Sequence, residues 1–121
     1  MKKPKILIID DDIDILELIG IIVLDAGFEP ILRKSVMPAE ELLRIKPELI
    51  LLDVRIAGSP LNGDEFCRQL KRGTTAFTIP VVLVSAERNL EQIAKKCAAD
   101  GFISKPFDID KIVKVVRKFV P

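Results

Sequence analysis

The sequence predicts an α/β domain built on one parallel sheet with helices on both faces. Three observations carry this. Apolar runs at residues 6–9, 49–52 and 81–84 consist of isoleucine, leucine and valine, and Gly101-Phe102-Ile103-Ser104 makes a fourth short run, the pattern of strands buried on both faces. Segments of helical period separate the runs and are long enough to cross from one parallel strand to the next. Each run also stops at a reactive polar group: Asp10-Asp11-Asp12, Asp53, Ser85 and Lys105 in turn.

The elements follow in order. Residues 13–26 place Ile15, Leu18, Ile19 and Ile22 on one helical face, and Gly27 supplies the stop. Residues 28–33 form a weaker strand, and Pro30 assigns it to a sheet edge. A short helix spans residues 38–45 and ends before Pro47. The turn formers of residues 57–63 follow Asp53, then a helix over 64–71. Pro80 precedes the fourth strand, a helix covers 87–99, and Asp108 caps a last helix that runs to Phe119. Right-handed crossovers turn this order into a doubly wound (βα)5 sandwich. The flavodoxin-like strand order 2-1-3-4-5 sets strands 1 and 3 side by side at the switch point, where ligands bind. That order brings Asp10, Asp11 and Asp53 into one pocket.

Residues 1–121 read as one domain without repeat or linker, with 49% apolar and 31% charged residues. A net charge of +1 argues against a module that binds nucleic acid unaided. The apolar runs are too short to span a bilayer. Residues 1–5 resemble the basic start of a signal peptide, but only four apolar residues follow before the aspartates. A cytoplasmic protein without membrane contact is expected. Cys67 and Cys97 have no CxxC spacing and read as reduced, partly buried helical thiols. The chain has no histidine, which removes a His triad, a His zinc site and an internal phosphohistidine. Its chemistry must run on carboxylate, hydroxyl and ammonium groups.

Clustered carboxylates need a counterion. At ~5 Å and an effective dielectric near 20, each like-charge pair costs roughly 3 kcal/mol. Mg²⁺ relieves this while binding one or two carboxylates and several waters, and it can bridge to a phosphoryl oxygen. Asp12 is the expected helix cap, leaving Asp10 and Asp11 for the metal beside Asp53. Lys105 can pair with Asp53 in the resting site and grip a phosphoryl oxygen in the loaded one. Its Lys-Pro step is compatible with a cis peptide.

These residues resemble the receiver domain of two-component response regulators over essentially the whole chain. Asp10 and Asp11 match the family's acidic pair, Asp53 its phosphoacceptor, Ser85-Ala86 its switch hydroxyl and small neighbour, and Lys105-Pro106-Phe107 its Lys-Pro-Phe motif. The resemblance implies Asp11 as a direct Mg²⁺ ligand, Asp10 acting mainly through water, and the backbone carbonyl of Arg55 as a further ligand. Phe102 takes the place of the aromatic switch residue. The implied function is a switch that accepts a phosphoryl group from a sensor histidine kinase or phosphotransfer protein. It then alters the surface of helix 4, strand 5 and helix 5 toward an effector or fused output domain. It catalyses only its own modification, and a homodimer of the phosphorylated form is compatible with it. The match departs from the family pattern after the acceptor: Ala57 replaces a proline, and Gly63 lies ten residues past Asp53, two further than usual. Phe102 also lacks the hydroxyl of the common tyrosine, so packing alone would drive its movement.

Two features go beyond the motifs. The first helix carries surplus apolar residues, and Ile13, Leu16 and Gly20 are expected to dock a partner helix, the kinase bundle by resemblance. Arg55 and Glu87, two residues past the acceptor and the switch hydroxyl, are expected to pair over the pocket mouth and obstruct the attacking water. Two rivals stand beside this reading. A pseudo-receiver would only bind partners. A haloacid-dehalogenase-like phosphatase would use Asp10 as nucleophile, but needs a longer chain and a second acidic pair. The chain is read as either a stand-alone regulator or a receiver cut from a longer protein.

Overall fold

The structure, a computed structural model, describes residues 2–73 and 78–121. Its elements alternate as β1 (Lys5–Ile9), α1 (Ile13–Asp25), β2 (Glu29–Arg33), α2 (Ala39–Ile45), β3 (Leu49–Leu52), α3 (Gly63–Lys71), β4 (Val81–Ser85), α4 (Leu90–Cys97), β5 (Gly101–Ser104) and α5 (Ile109–Phe119). The strands form one parallel sheet in the order β2-β1-β3-β4-β5, as the sequence predicts. β2 is an edge strand, where the missing N–H of Pro30 is tolerated.

Alternate side chains of each buried strand feed two cores. Leu7, Ile9, Ile50 and Leu52 pack toward Leu42 of α2, Phe66 of α3 and Ala94 of α4. Ile6, Ile8, Leu49 and Leu51 pack toward Leu16 and Val23 of α1 and Ile112 and Val116 of α5. Cys67 and Cys97 are free thiols inside the first core, more fully buried than expected.

α1 differs from the sequence expectation in its rotation. It buries Leu16, Ile19, Gly20, Ile22 and Val23, while Leu18 is 44% exposed. The helix leans on edge strand β2 as well as on the sheet centre: a Cβ on Gly20 would stand 3.2 Å from the Leu32 side chain. Leu16 is therefore a core position, which corrects its assignment to a docking surface, while Gly20, packed close to Leu32, lines a groove with Ile21 and Leu24. Ile13 remains exposed as expected, and the outward apolar residues that accompany it are Ile21 and Leu24, with Leu18 on the other flank. Accordingly, Leu16→Ala should lower unfolding free energy by about 2–5 kcal/mol in a urea titration, the cost of a core cavity. A result near zero would return Leu16 to the surface.

α1 ends where Gly27 adopts φ +102, a conformation that disfavours any side chain. α4 is shorter than the predicted 87–99. Asn89 takes its N-cap and Ala98, at φ 62, closes it, so residues 86–89 form a loop that carries Glu87 to the sheet rim.

Candidate phosphoryl-accepting site

The carboxyl ends of β1, β3, β4 and β5 place Asp10, Asp53, Ser85 and Lys105 on one rim. Adjacent strands lock the backbone there: the Asp53 N–H donates to the Ile9 carbonyl at 3.0 Å, and the Lys105 N–H donates to the Ser85 carbonyl at 2.9 Å. The Lys105–Pro106 peptide is cis.

The Lys105 ammonium lies between two carboxylates. It donates to Asp10 Oδ2 at 2.9 Å and to Asp53 Oδ2 at 3.0 Å. The remaining oxygens meet backbone donors, Asp10 Oδ1 taking the Asp12 N–H at 2.9 Å and Asp53 Oδ1 the Val54 N–H at 2.7 Å. Asp12 caps α1, its carboxylate accepting the Asp14 and Ile15 N–H groups. Burial raises the Asp10 carboxyl above the ordinary aspartate range, against the opposing pull of Lys105 and the Asp12 amide. Burial also works against the charge on Lys105, but its hydrogen bonds to Asp10 and Asp53 prevail and hold the ammonium above the usual lysine range.

Asp10, Asp11 and Asp53 can each present a carboxylate oxygen such that all three lie within 4.8 Å of one another. Hard oxygen donors at this spacing suit Mg²⁺ better than a soft metal. Three acids against one ammonium also leave net negative charge for a cation to neutralise.

Around this centre, Ser85 is buried at the end of β4, while Phe102 on β5 is 39% exposed. Arg55 and Glu87 meet as the sequence suggests, Nε to Oε1 at 2.5 Å, linking the β3–α3 and β4–α4 loops. Sequence reasoning missed two supports of the longer β3–α3 loop. The Ser59 hydroxyl accepts the Val36 N–H at 3.1 Å, and Asn62 Oδ1 accepts the Ile56 N–H at 3.4 Å. Asn62 bonds backbone within its own loop, a signal readable in the Asn-Gly step, whereas the Ser59 bond crosses to the β2–α2 loop and has no local signature. The loop is tied down rather than slack. An apolar cavity of about 370 Å³ between Met37, Pro38, Leu61 and Phe66 lies apart from this chemistry and presents no ionisable group.

Fold and rim together are those of a module used in phosphorylation-dependent signalling. Residues 6–117 match the response regulator receiver domain family, and the chain belongs to it. It is 29% identical to sporulation initiation phosphotransferase F of Bacillus subtilis, covering 100% of this chain and 97% of that protein. It is 35% identical to the nitrogen assimilation regulatory protein NtrX of Azorhizobium caulinodans, over 93% of this chain but 25% of that protein. With the Synechocystis regulator RpaA it shares 32% identity over 94% of this chain and 48% of that protein. The chain thus spans half or less of these two longer regulators. The crystal structure of the NtrX receiver domain from Brucella abortus superposes with a TM-score of 0.83 at 30% identity, covering 95% of this chain and 97% of that one. Chemotaxis protein CheY4 of Vibrio cholerae, at 23% identity and TM-score 0.76 over 97% and 98% of the two chains, shares the fold. The chain is a receiver domain of the two-component type, a signalling switch. Among the described residues no helix is long and apolar enough to cross a membrane.

Proposed function

We propose that Asp53 accepts a phosphoryl group from the phosphohistidine of a partner kinase or phosphotransfer protein. The observation that supports this is the shared ammonium: Lys105 bonds Asp10 and Asp53 together, at 2.9 and 3.0 Å. A carboxylate oxygen of Asp53 attacks phosphorus, the P–N bond breaks as the O–P bond forms, and the imidazole leaves on the donor. Phosphorylation turns the Asp53 carboxylate into an acyl phosphate and moves the negative charge onto the phosphoryl oxygens, so Lys105 keeps Asp10 and turns its other donor to those oxygens. Asp10, Asp11, Asp53 and the Arg55 carbonyl would hold Mg²⁺, which supplies Lewis-acid neutralisation of phosphoryl charge when bound. Ser85, on the neighbouring strand, reaches toward the same oxygens, and Phe102 moves inward behind it, altering the α4–β5–α5 surface. Asp10 is less suited as nucleophile because it is 2% exposed against 9% for Asp53.

Acetyl phosphate with Mg²⁺ should add one phosphoryl group by intact mass, and Asp53→Asn should add none. An unmodified wild type, or an equal adduct on the variant, would overturn the proposal and leave a partner-binding pseudo-receiver.

Arg55 and Glu87 form the proposed gate against water. Arg55 is 76% exposed, so the pair is a surface contact worth under about 1 kcal/mol. Arg55→Ala and Glu87→Ala should leave stability unchanged yet hydrolyse the Asp53 adduct about 2–10-fold faster, a barrier change of about 1 kcal/mol. Equal decay rates would reject the gate.

For the kinase-side helix, Ile13, Ile21 and Leu24, with the groove that Gly20 lines, form the docking surface in place of the buried Leu16. Ile21 is 65% exposed beside a groove of about 320 Å³ whose wall includes Pro30 and Leu32. Ile21→Asp should slow transfer from the kinase about tenfold or more while acetyl phosphate still loads Asp53 normally. Unchanged transfer from the kinase would remove this surface from the mechanism.

A further inference from the structure

The apolar cavity beside Met37 takes no part in the phosphoryl chemistry. It has a volume of about 370 Å³ and lies between the β2–α2 loop, the β3–α3 loop and α3. Val36, Met37, Phe66 and Leu70 are its buried residues, while Pro38, Ala39 and Pro60 are exposed. Gln69 supplies the one polar side chain among the described lining residues.

Hydrogen bonds fix both loops. The Val36 N–H donates to the Ser59 hydroxyl at 3.1 Å, and the Ser59 N–H donates to the Ile56 carbonyl at 3.2 Å. Asn62 accepts the Ile56 N–H at 3.4 Å and opens α3 through a capping box with Glu65. On the facing side Pro38 starts α2, its carbonyl accepting the Leu42 N–H at 3.2 Å. A pocket with walls set in advance loses little binding energy in ordering them. Pro60 and Leu61 belong to the loop that exceeds the family pattern by two residues, so this wall is particular to the chain.

We infer that this pocket binds a neutral aromatic molecule of one or two rings carrying one hydrogen-bonding group. Size sets the first limit. An apolar cavity of about 150 Å³ holds benzene, so this one has room for a fused pair of rings. Charge sets the second: no described lining residue is ionisable, so an ammonium or carboxylate desolvated here would lack a partner. The lining favours a ring over an alkyl chain, because the Met37 thioether and the Phe66 ring both make directed contacts with aromatic groups. Gln69 offers its amide to one N–H or O–H of the ligand. A protein side chain is a poorer fit. None of the large apolar side chains exposed among the described residues lines this pocket, so the apolar ring that shields a protein anchor from water is missing. The assignment does not depend on Asp53 accepting a phosphoryl group.

The test is an NMR titration of the full isotope-labelled chain with indole, a fused ring pair with one N–H. Saturable shifts should map to Met37, Leu61, Phe66 and Leu70, with a Kd below about 1 mM. Ala39→Trp puts a ring at the exposed side of the pocket and should weaken indole about tenfold or more, with an unchanged urea midpoint. Gln69→Leu should weaken indole about threefold, the size of one exchanged hydrogen bond, and leave N-methylindole unaffected. Benzyl alcohol should bind more tightly than cyclohexylmethanol. Titration without saturable shifts, shifts at the α1 groove instead, or indifference to Ala39→Trp would overturn the inference. So would equal affinity for the two alcohols, or tighter binding of a glycine-flanked tryptophan peptide, which would mark a protein anchor site. Should Ala39→Trp fail to fold, a Gln69→Leu variant that binds indole as the wild type does overturns the inference by itself.

Discussion

Gly63→Ala is expected to destabilise the protein by about 3 kcal/mol or more and to cut phosphoryl uptake at Asp53 at least about tenfold, the upper end of overpacking effects. The reason is space. A Cβ at this position would stand 1.7 Å from the Asp53 carbonyl oxygen and 3.0 Å from Leu52. The obstacle is backbone, which cannot swing aside like a long side chain. The Gly63 N–H also donates to the Val54 carbonyl at 2.6 Å, so the start of α3 is fastened to the residue that follows Asp53. Alanine must push α3 away or displace the loop of residues 54–62. That loop holds Arg55, whose carbonyl is proposed as a metal ligand. Urea unfolding reads the first effect and acetyl phosphate labelling the second. Wild-type behaviour in both would show that the approach of α3 to Asp53 is not required.

Lys105→Ala should have the second large effect, and its sign depends on pH. The lysine is the only side-chain cation, among the described residues, hydrogen-bonded to Asp10 and Asp53. Its removal leaves two buried carboxylates without their common partner, a loss of up to about 3–5 kcal/mol when both stay ionised. Asp10 already titrates above its ordinary value because of burial, and Lys105 is the main group opposing that shift. Without the lysine the Asp10 carboxyl moves higher still. A group whose folded pKa is raised favours the folded state below its unfolded pKa, and that contribution is lost as pH rises through the folded pKa. Lys105→Ala should therefore be penalised more heavily at about pH 8 than at about pH 5. Millimolar Mg²⁺ should recover part of the loss at the higher pH by neutralising the same carboxylates. In the wild type the Lys105 contribution runs the other way: it is full below the unfolded lysine pKa and fades in the alkaline range, above the raised folded value. A variant with a pH-independent deficit and no response to Mg²⁺ would mean that the ammonium does not hold the acids together.

Much of the site was legible in the chain because parallel strands deliver their carboxyl ends to one rim. Asp10, Asp53, Ser85 and Lys105 each follow or close an apolar run, so recognising the runs placed the residues. The Arg55–Glu87 pair was equally readable, since both occupy the same offset from neighbouring strand ends. α1 was not. Apolar residues surround most of that helix, so periodicity could not distinguish a core formed by Leu18 and Ile15 from one formed by Leu16 and Val23. The contact of Gly20 with Leu32 of β2 settles the rotation. The ends of α4 were also misjudged, because Asn89 and Ala98 set them by conformations that other residues in that segment could have adopted.

By itself, then, the order of apolar runs and their terminal polar residues determined the strand succession, the acid cluster and its lysine. Such patterns are local and survive without knowledge of neighbours. Tertiary structure alone decided which face of α1 is free and that Gly63 leaves no room for a Cβ against the Asp53 carbonyl. Each of these depends on distances between segments far apart in the chain, which no periodicity encodes.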